Sequence, residues 1–102
     1  MLIIGEKINA TSKRVAEAII NKDASFLQGL AQRQVEAGAD YIDVNTGTGQ
    51  GRDQEITDLK WAIDVVRQAV DAPLCLDSSD PQALAAATAH SVSYTHLRAH
   101  ET

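Results

Sequence analysis

Three short apolar runs in this chain each end in residues able to bind a polar ligand. The clusters are GEKIN (Glu6, Lys7, Asn9), DVNTG (Asp43, Asn45) and LDSSD (Asp77, Ser78). Carboxylates accept hydrogen bonds, while asparagine amides and serine hydroxyls both donate and accept, so the set reads as a binding surface. Strand alternation sharpens this reading. Tyr41, Asp43 and Asn45 share one face of an extended segment and Ile42 and Val44 the other; likewise Cys75 and Asp77 oppose Leu74 and Leu76. The aliphatic face suits packing against helices, which leaves the polar face to line a site. Burying an aspartate carboxylate costs several kcal/mol unless donors meet it. Asp43 and Asp77 are therefore expected to be buried and to meet donors from the protein or from a ligand.

Each of these residues also has a structural alternative. Asp77 could cap the turn into the next helix, and Asp43 could bond to a neighbouring loop. Glu6 and Lys7 could form a solvated pair, and Asn9 and Asn45 could each bond the backbone of their own turns. Convergence at all three strand ends favours a shared site. Gly47, Gly49 and Gly51 follow a strand and precede a helix, but GTGQGR is G-x-G-x-G and departs from the dinucleotide fingerprint G-x-G-x-x-G. A flexible loop over a site is the better reading.

The elements that must position these residues follow from periodicity. The apolar runs LIIG (from Leu2), YIDV (from Tyr41) and PLCLD (from Pro73) are separated by amphipathic patterns. From Asp53 to Val70, Ile56, Leu59, Ile63, Val66 and Val70 fall at helical spacing. Leu27, Leu30, Ala31 and Val35 do the same between Ala24 and Ala37, with Gly38 placed for a left-handed C-cap. A shorter helix around Val15–Ile20 precedes them, broken at Asn21–Asp23. Asp80-Pro81 marks another helix start, because aspartate caps and proline tolerates the first turn. The order β-α-β-α-β-α predicts an α/β protein with parallel strands joined by right-handed crossovers. An open doubly wound sheet and a (β/α)8 barrel compete. A barrel uses about 31 residues per unit, near the spacing here, and three units would make an N-terminal fragment of one. In either architecture the ligand sits at the carboxyl ends of the strands.

Composition sets outer limits. The chain has 102 residues, 44% of them hydrophobic, and a net charge of −5. An acidic chain without a basic stripe argues against nucleic-acid binding, and no apolar run approaches the roughly 18 residues of a membrane span. The single cysteine, Cys75, offers no disulfide framework. MLIIGEK lacks the features of a signal peptide, so a cytoplasmic location is expected.

The segments IIGEKINAT, GADYIDVNTG and LCLDSSDPQAL, spanning nearly all of residues 2–88, resemble the pterin-binding (β/α)8 family. That family includes methyltetrahydrofolate:corrinoid methyltransferases, the folate domain of cobalamin-dependent methionine synthase, and dihydropteroate synthase. GEKIN and CLDSSDP look most like the first of these. Where dihydropteroate synthases carry a GGEST-like loop, this chain has NTGTGQG. The resemblance implies a protein that binds methyltetrahydrofolate as methyl donor and passes the N5 methyl group to the cobalt of a corrinoid carried by a partner protein. A tertiary amine is a poor leaving group, so hydrogen bonding or protonation at N5 must develop toward the transition state. Asp77 matches the family's pterin-contacting aspartate, and Asn9 and Asn45 match its motif asparagines. Asp43, Glu6 and Ser78 complete the candidate set. The family's contact near N5 lies on later strands, so the catalytic residues are not assigned. Some members of the family are dimeric, so a homodimer is one candidate state of a full-length protein. The alternatives are another pterin enzyme (dihydropteroate synthase or a methionine synthase domain) and a small non-enzymatic nucleotide-binding module.

The end of the chain reads differently. Residues 92–102, VSYTHLRAHET, resemble the translation of a sequencing-library adapter. The expected division is residues 1–90 as an incomplete pterin-binding barrel and 91–102 as a non-native tail. His96 and His100 in HLRAH have the spacing of a zinc helix but lack the glutamate of H-E-x-x-H, so no metal site is expected.

Overall fold

The computed structural model describes the backbone of residues 7–101 and the side chains of residues 7–91. Glu6 and the run LIIG lie outside the described residues. The order is β1 (Ile8–Asn9), α1 (Lys13–Ile20), α2 (Ala24–Glu36), β2 (Ile42–Asn45), α3 (Arg52–Ala69), β3 (Leu74–Leu76) and α4 (Pro81–Glu101). The three strands are parallel and lie in sequence order, β1-β2-β3. The expected α/β class is therefore what the chain adopts.

Local chemistry accounts for the boundaries. Asp23 caps α2 by accepting from the Phe26 N–H at 3.2 Å. The same helix ends in a Schellman motif. Gly38, at φ 93°, donates to the Val35 carbonyl, and the Ala39 N–H reaches the Gln34 carbonyl. A side chain at Gly38 would be forced into the left-handed region, which explains glycine there. Asp80 starts α4, its Oδ1 accepting from Gln82 N–H at 3.0 Å and Ala83 N–H at 3.4 Å. The Arg52 guanidinium beside it holds the Asp80 carboxyl below its ordinary range, and those two N–H groups add to the effect.

The helices pack on one face of the sheet. Ile8, Ile42 and Val44 project into a single core with Val15 and Ile19 of α1, Leu27 and Leu30 of α2, Leu59, Ile63 and Val66 of α3, and Ala87 of α4. Leu74 and Leu76 at the β3 edge are only partly covered. Two details depart from the apolar stripes. On α2, Val35 is exposed and Gln34 is buried. On α3, Asp58 is 1% exposed. Its Oδ1 accepts from Lys22 Nζ at 2.7 Å and from Gln54 Nε2 at 2.9 Å. Lys22 sits at φ 55° in the α1–α2 turn, and its ammonium also lies 5.3 Å from the centre of the Trp61 ring. A buried carboxylate with these partners ties the turn to α3. Among the described residues, no helix is long and apolar enough to cross a membrane.

Candidate functional site

The face of the sheet opposite the helices carries two rows of polar side chains. Asp43 pairs in register with Cys75, and Asn9 with Asn45. One step before the Ile8–Val44 pair, Lys7 stands opposite Asp43. One step beyond Val44–Leu76, Asp77 stands opposite Asn45, its N–H bonded to the Val44 carbonyl at 2.9 Å. The lower row is thus Lys7, Asp43 and Cys75, and the upper row, at the carboxyl ends, is Asn9, Asn45 and Asp77. All six line one cleft of about 260 Å³.

Both asparagines hold their turns. Asn9 Oδ1 accepts from the Thr11 N–H and Asn45 Oδ1 from the Gly47 N–H, each at 2.9 Å. A backbone N–H can be met only by the amide oxygen, so each side chain's remaining hydrogen-bonding capacity includes the two donors on Nδ2. The turn-stabilising alternative is therefore real for both residues, and it leaves their NH2 groups for a ligand. Asp77 has no capping role, because Asp80 fills it. The Asp77 carboxylate has no hydrogen-bond or ion-pair partner among the described residues, and the side chain is exposed rather than buried as the sequence suggested. Three strands build only one wall of the cleft, and the side facing Asp77 is open. The upper row therefore presents donor, donor and acceptor across adjacent strands.

The lower row is more modest. Lys7 Nζ lies 3.4 Å from Asp43 Oδ2, with the two side chains 66% and 32% exposed. Asp43 is thus half-buried, and its partner is a lysine rather than a loop. An ion pair this open contributes little to stability. Cys75 is exposed, and its thiol is pushed up by partial desolvation, then by a hydrogen bond to Asp43 and the negative charge of Asp43 and Asp77. A thiol held protonated is a poor nucleophile, so nothing here suits Cys75 to covalent chemistry.

Ser78 is not brought into the cleft. Its hydroxyl donates to the Glu55 carboxylate and accepts from the Asp80 N–H at 3.0 Å. The α3 end of this region also reaches across through Arg52, whose Nε lies 2.6 Å from Asp80 Oδ2 and whose Nη1 lies 2.5 Å from Gln82 Oε1. Sequence reasoning placed Lys7 in a strand-end cluster but left it out of the final candidate set, and gave Cys75 no ligand-binding role although alternation puts it on the same face as Asp77. It also missed Glu55 and Arg52, which lie on a helix and carry no strand-end signal. Among the described residues, no cluster of three or more histidine, cysteine, aspartate or glutamate side chains could hold a metal ion.

Comparisons with known proteins show the family of this chain. A methylcorrinoid:tetrahydrofolate methyltransferase of Eubacterium limosum is 49% identical over 86 residues, covering 84% of this chain and 31% of the relative. The chain thus spans about a third of the length of that relative. Residues 5–96, which contain all three described strands and all six cleft residues, match the profile of pterin-binding enzymes. The chain belongs to the pterin-binding enzyme family.

Proposed function

We propose that this chain forms the first three βα units of a (β/α)8 barrel that transfers a methyl group between N5 of tetrahydrofolate and the cobalt of a corrinoid protein. Residues 1–90 supply those units, and residues 91–102 are a non-native tail. The sequential parallel strand order and the packing of the helices on one face support a barrel. A doubly wound sheet places helices on both faces and reverses its strand order at the binding crevice. The relative's name supports the chemistry.

The observation that carries the binding reading is the upper row. Asp77 offers a carboxylate with no protein partner among the described residues, next to two amides whose NH2 groups remain to donate. A pterin presents ring N–H and amino donors alongside carbonyl and ring-nitrogen acceptors, so Asp77 accepts from the former while Asn9 and Asn45 donate to the latter. Asp43 and Lys7 form the floor of the cleft. The expected direction is from methyltetrahydrofolate to cobalt(I), with the C–N bond broken and a proton delivered to N5. The relative's name is written in the opposite direction, and microscopic reversibility assigns both directions to one site. Conversely, N5 attacks the methyl group, cobalt departs with the bonding pair, and the proton leaves N5. The group that handles this proton belongs to the remaining strands.

The test uses the complete protein encoded at this locus, incubated with methyltetrahydrofolate and reduced corrinoid protein. Appearance of the methylcobalt absorption spectrum supports the reading. Condensation of a pterin diphosphate with p-aminobenzoate, without methyl transfer, would replace it with a synthase.

A further inference from the structure

We infer that Glu55 is a positioning residue that fixes the separation of Asn45 and Asp77, an inference that rests on the reading of the cleft above. The β2–β3 ladder ends at Val44 and Leu76, closed by the Asp77 N–H on the Val44 carbonyl, and Asn45 and Asp77 stand one step beyond it, at the roots of loops leading to different helices. Beyond them strand pairing does nothing to hold the loops together. Glu55, in the first turn of α3, touches both. Its carboxylate accepts the hydroxyl proton of Ser78, which directly follows Asp77. Its backbone carbonyl faces the hydroxyl of Thr46, which directly follows Asn45, at 3.5 Å, and Thr46 is fully buried.

Gly47 sits against the same carboxylate. A Cβ there would lie 3.6 Å from Glu55 Oε2 and 3.4 Å from Asn45 Oδ1, ordinary contact distances, so the loop backbone runs close to both groups. Ser78 passes the connection on by accepting the Asp80 N–H. A continuous path therefore runs Thr46–Glu55–Ser78–Asp80, one residue behind the upper row. The α3 helix has no side-chain N-cap, and its N-terminal dipole is served by Asp53 as well, so helix stability alone does not require the carboxylate of Glu55. A ligand that bridges Asn45 and Asp77 gains affinity only if their spacing is held before it arrives.

The experiment is a double-mutant cycle on the complete protein, with methyltetrahydrofolate affinity measured by calorimetry and thermal melting run alongside. Glu55→Ala should weaken binding roughly tenfold, the size of coupling that residues in one network show. Glu55→Gln keeps an oxygen to accept the Ser78 hydroxyl proton and should stay within about twofold of the native affinity. In an Asp77→Asn background the Glu55→Ala loss should largely vanish, because the group it positions has been altered. A Glu55→Ala protein that melts earlier but binds like the native one overturns the inference, as does a loss that adds in full to that of Asp77→Asn. If Glu55→Ala fails to fold, Ser78→Ala breaks the same bond from the other side and must weaken binding alike; native affinity in that variant also overturns it. A native protein that does not bind methyltetrahydrofolate overturns the reading of the cleft together with this inference, whereas native binding with unaffected variants overturns this inference alone.

Discussion

The two faces of the three-stranded sheet are built from alternate residues of the same short segments, yet they do opposite work. Ile8, Ile42 and Val44 are fully buried beneath the helices. Lys7, Asn9, Asp43, Asn45, Cys75 and Asp77 line an open cleft on the other side. The inner face holds the fold, whereas on the outer face Asn9 and Asn45 brace only their own turns. Asp77 has no protein partner among the described residues, and the Lys7–Asp43 pair is long and exposed. Side chains that stability explains only in part, standing at the carboxyl ends of parallel strands, fit the proposed ligand site.

Adjacent residues on β2 give the sharpest way to break this comparison. Ile42→Ala should lower the unfolding free energy of the complete protein by roughly 2–5 kcal/mol, through lost burial and the cavity left behind. Asp43→Ala, one residue on, should change it by less than about 1 kcal/mol. Denaturant titration of the two variants checks both. Equal losses would mean that the polar face is a second structural layer rather than a site.

The next effect is on affinity and should spare stability. Asp77→Ala removes the acceptor from the upper row, and its expected cost in methyltetrahydrofolate binding is roughly 1–3 kcal/mol, as for leaving buried donors of a bound ligand unpaired. The melting temperature should not move. Calorimetric titration of the variant with unchanged affinity would remove Asp77 from the site.

How much of this could be read from the chain depends on the range of the interaction. Alternation along a strand is local, so the partition of Ile42 and Val44 from Asp43 and Asn45 was legible, as were the Gly38 and Asp80 helix boundaries. The α1–α2 break at Asn21–Asp23 was legible as well. Pairings between helices were not. Lys22 and Asp58 are 36 residues apart, and neither sequence neighbourhood announces that a carboxylate on an apolar stripe will be buried against an ammonium from a turn. The Ser78–Glu55 contact, over 23 residues, was illegible for the same reason, and Ser78 was therefore placed in the ligand set when its hydroxyl serves a loop. The burial expected for Asp77 failed differently. It assumed a closed surround, and three strands supply one wall of it.

The electrostatic character of the outer face can be read from its one thiol. Desolvation, Asp43 and Asp77 all raise the Cys75 pKa above its ordinary value, so less thiolate is present at any pH near 8 than for a free cysteine. Iodoacetamide should alkylate it slowly, with the rate rising only at more alkaline pH. Asp43→Asn removes the nearest negative charge, so the pKa should fall and alkylation at pH 8 should quicken. Mass spectrometry of timed samples reads both rates. A variant that reacts no faster would show that Asp43 does not govern the field over the lower row.

The smallest expected effect concerns the floor of the cleft. Lys7 and Asp43 are close enough to attract, but Lys7 is mostly in solvent, where side-chain entropy and screening offset most of the attraction. Lys7→Met should therefore shift stability by less than about 1 kcal/mol, and added salt should shrink even that difference. Its value lies in what else it changes. With the ammonium gone, the Asp43 carboxylate loses its ion-pair partner in the described structure and becomes an acceptor available to whatever enters the cleft. If Asp43 is only the base of a surface ion pair, ligand affinity will follow stability and scarcely move. If it belongs with Asp77 as a second acceptor, Lys7→Met and Asp43→Asn will move methyltetrahydrofolate affinity in opposite directions while both proteins melt like the native one. The outer face would then be a binding surface in both of its rows rather than in the upper row alone.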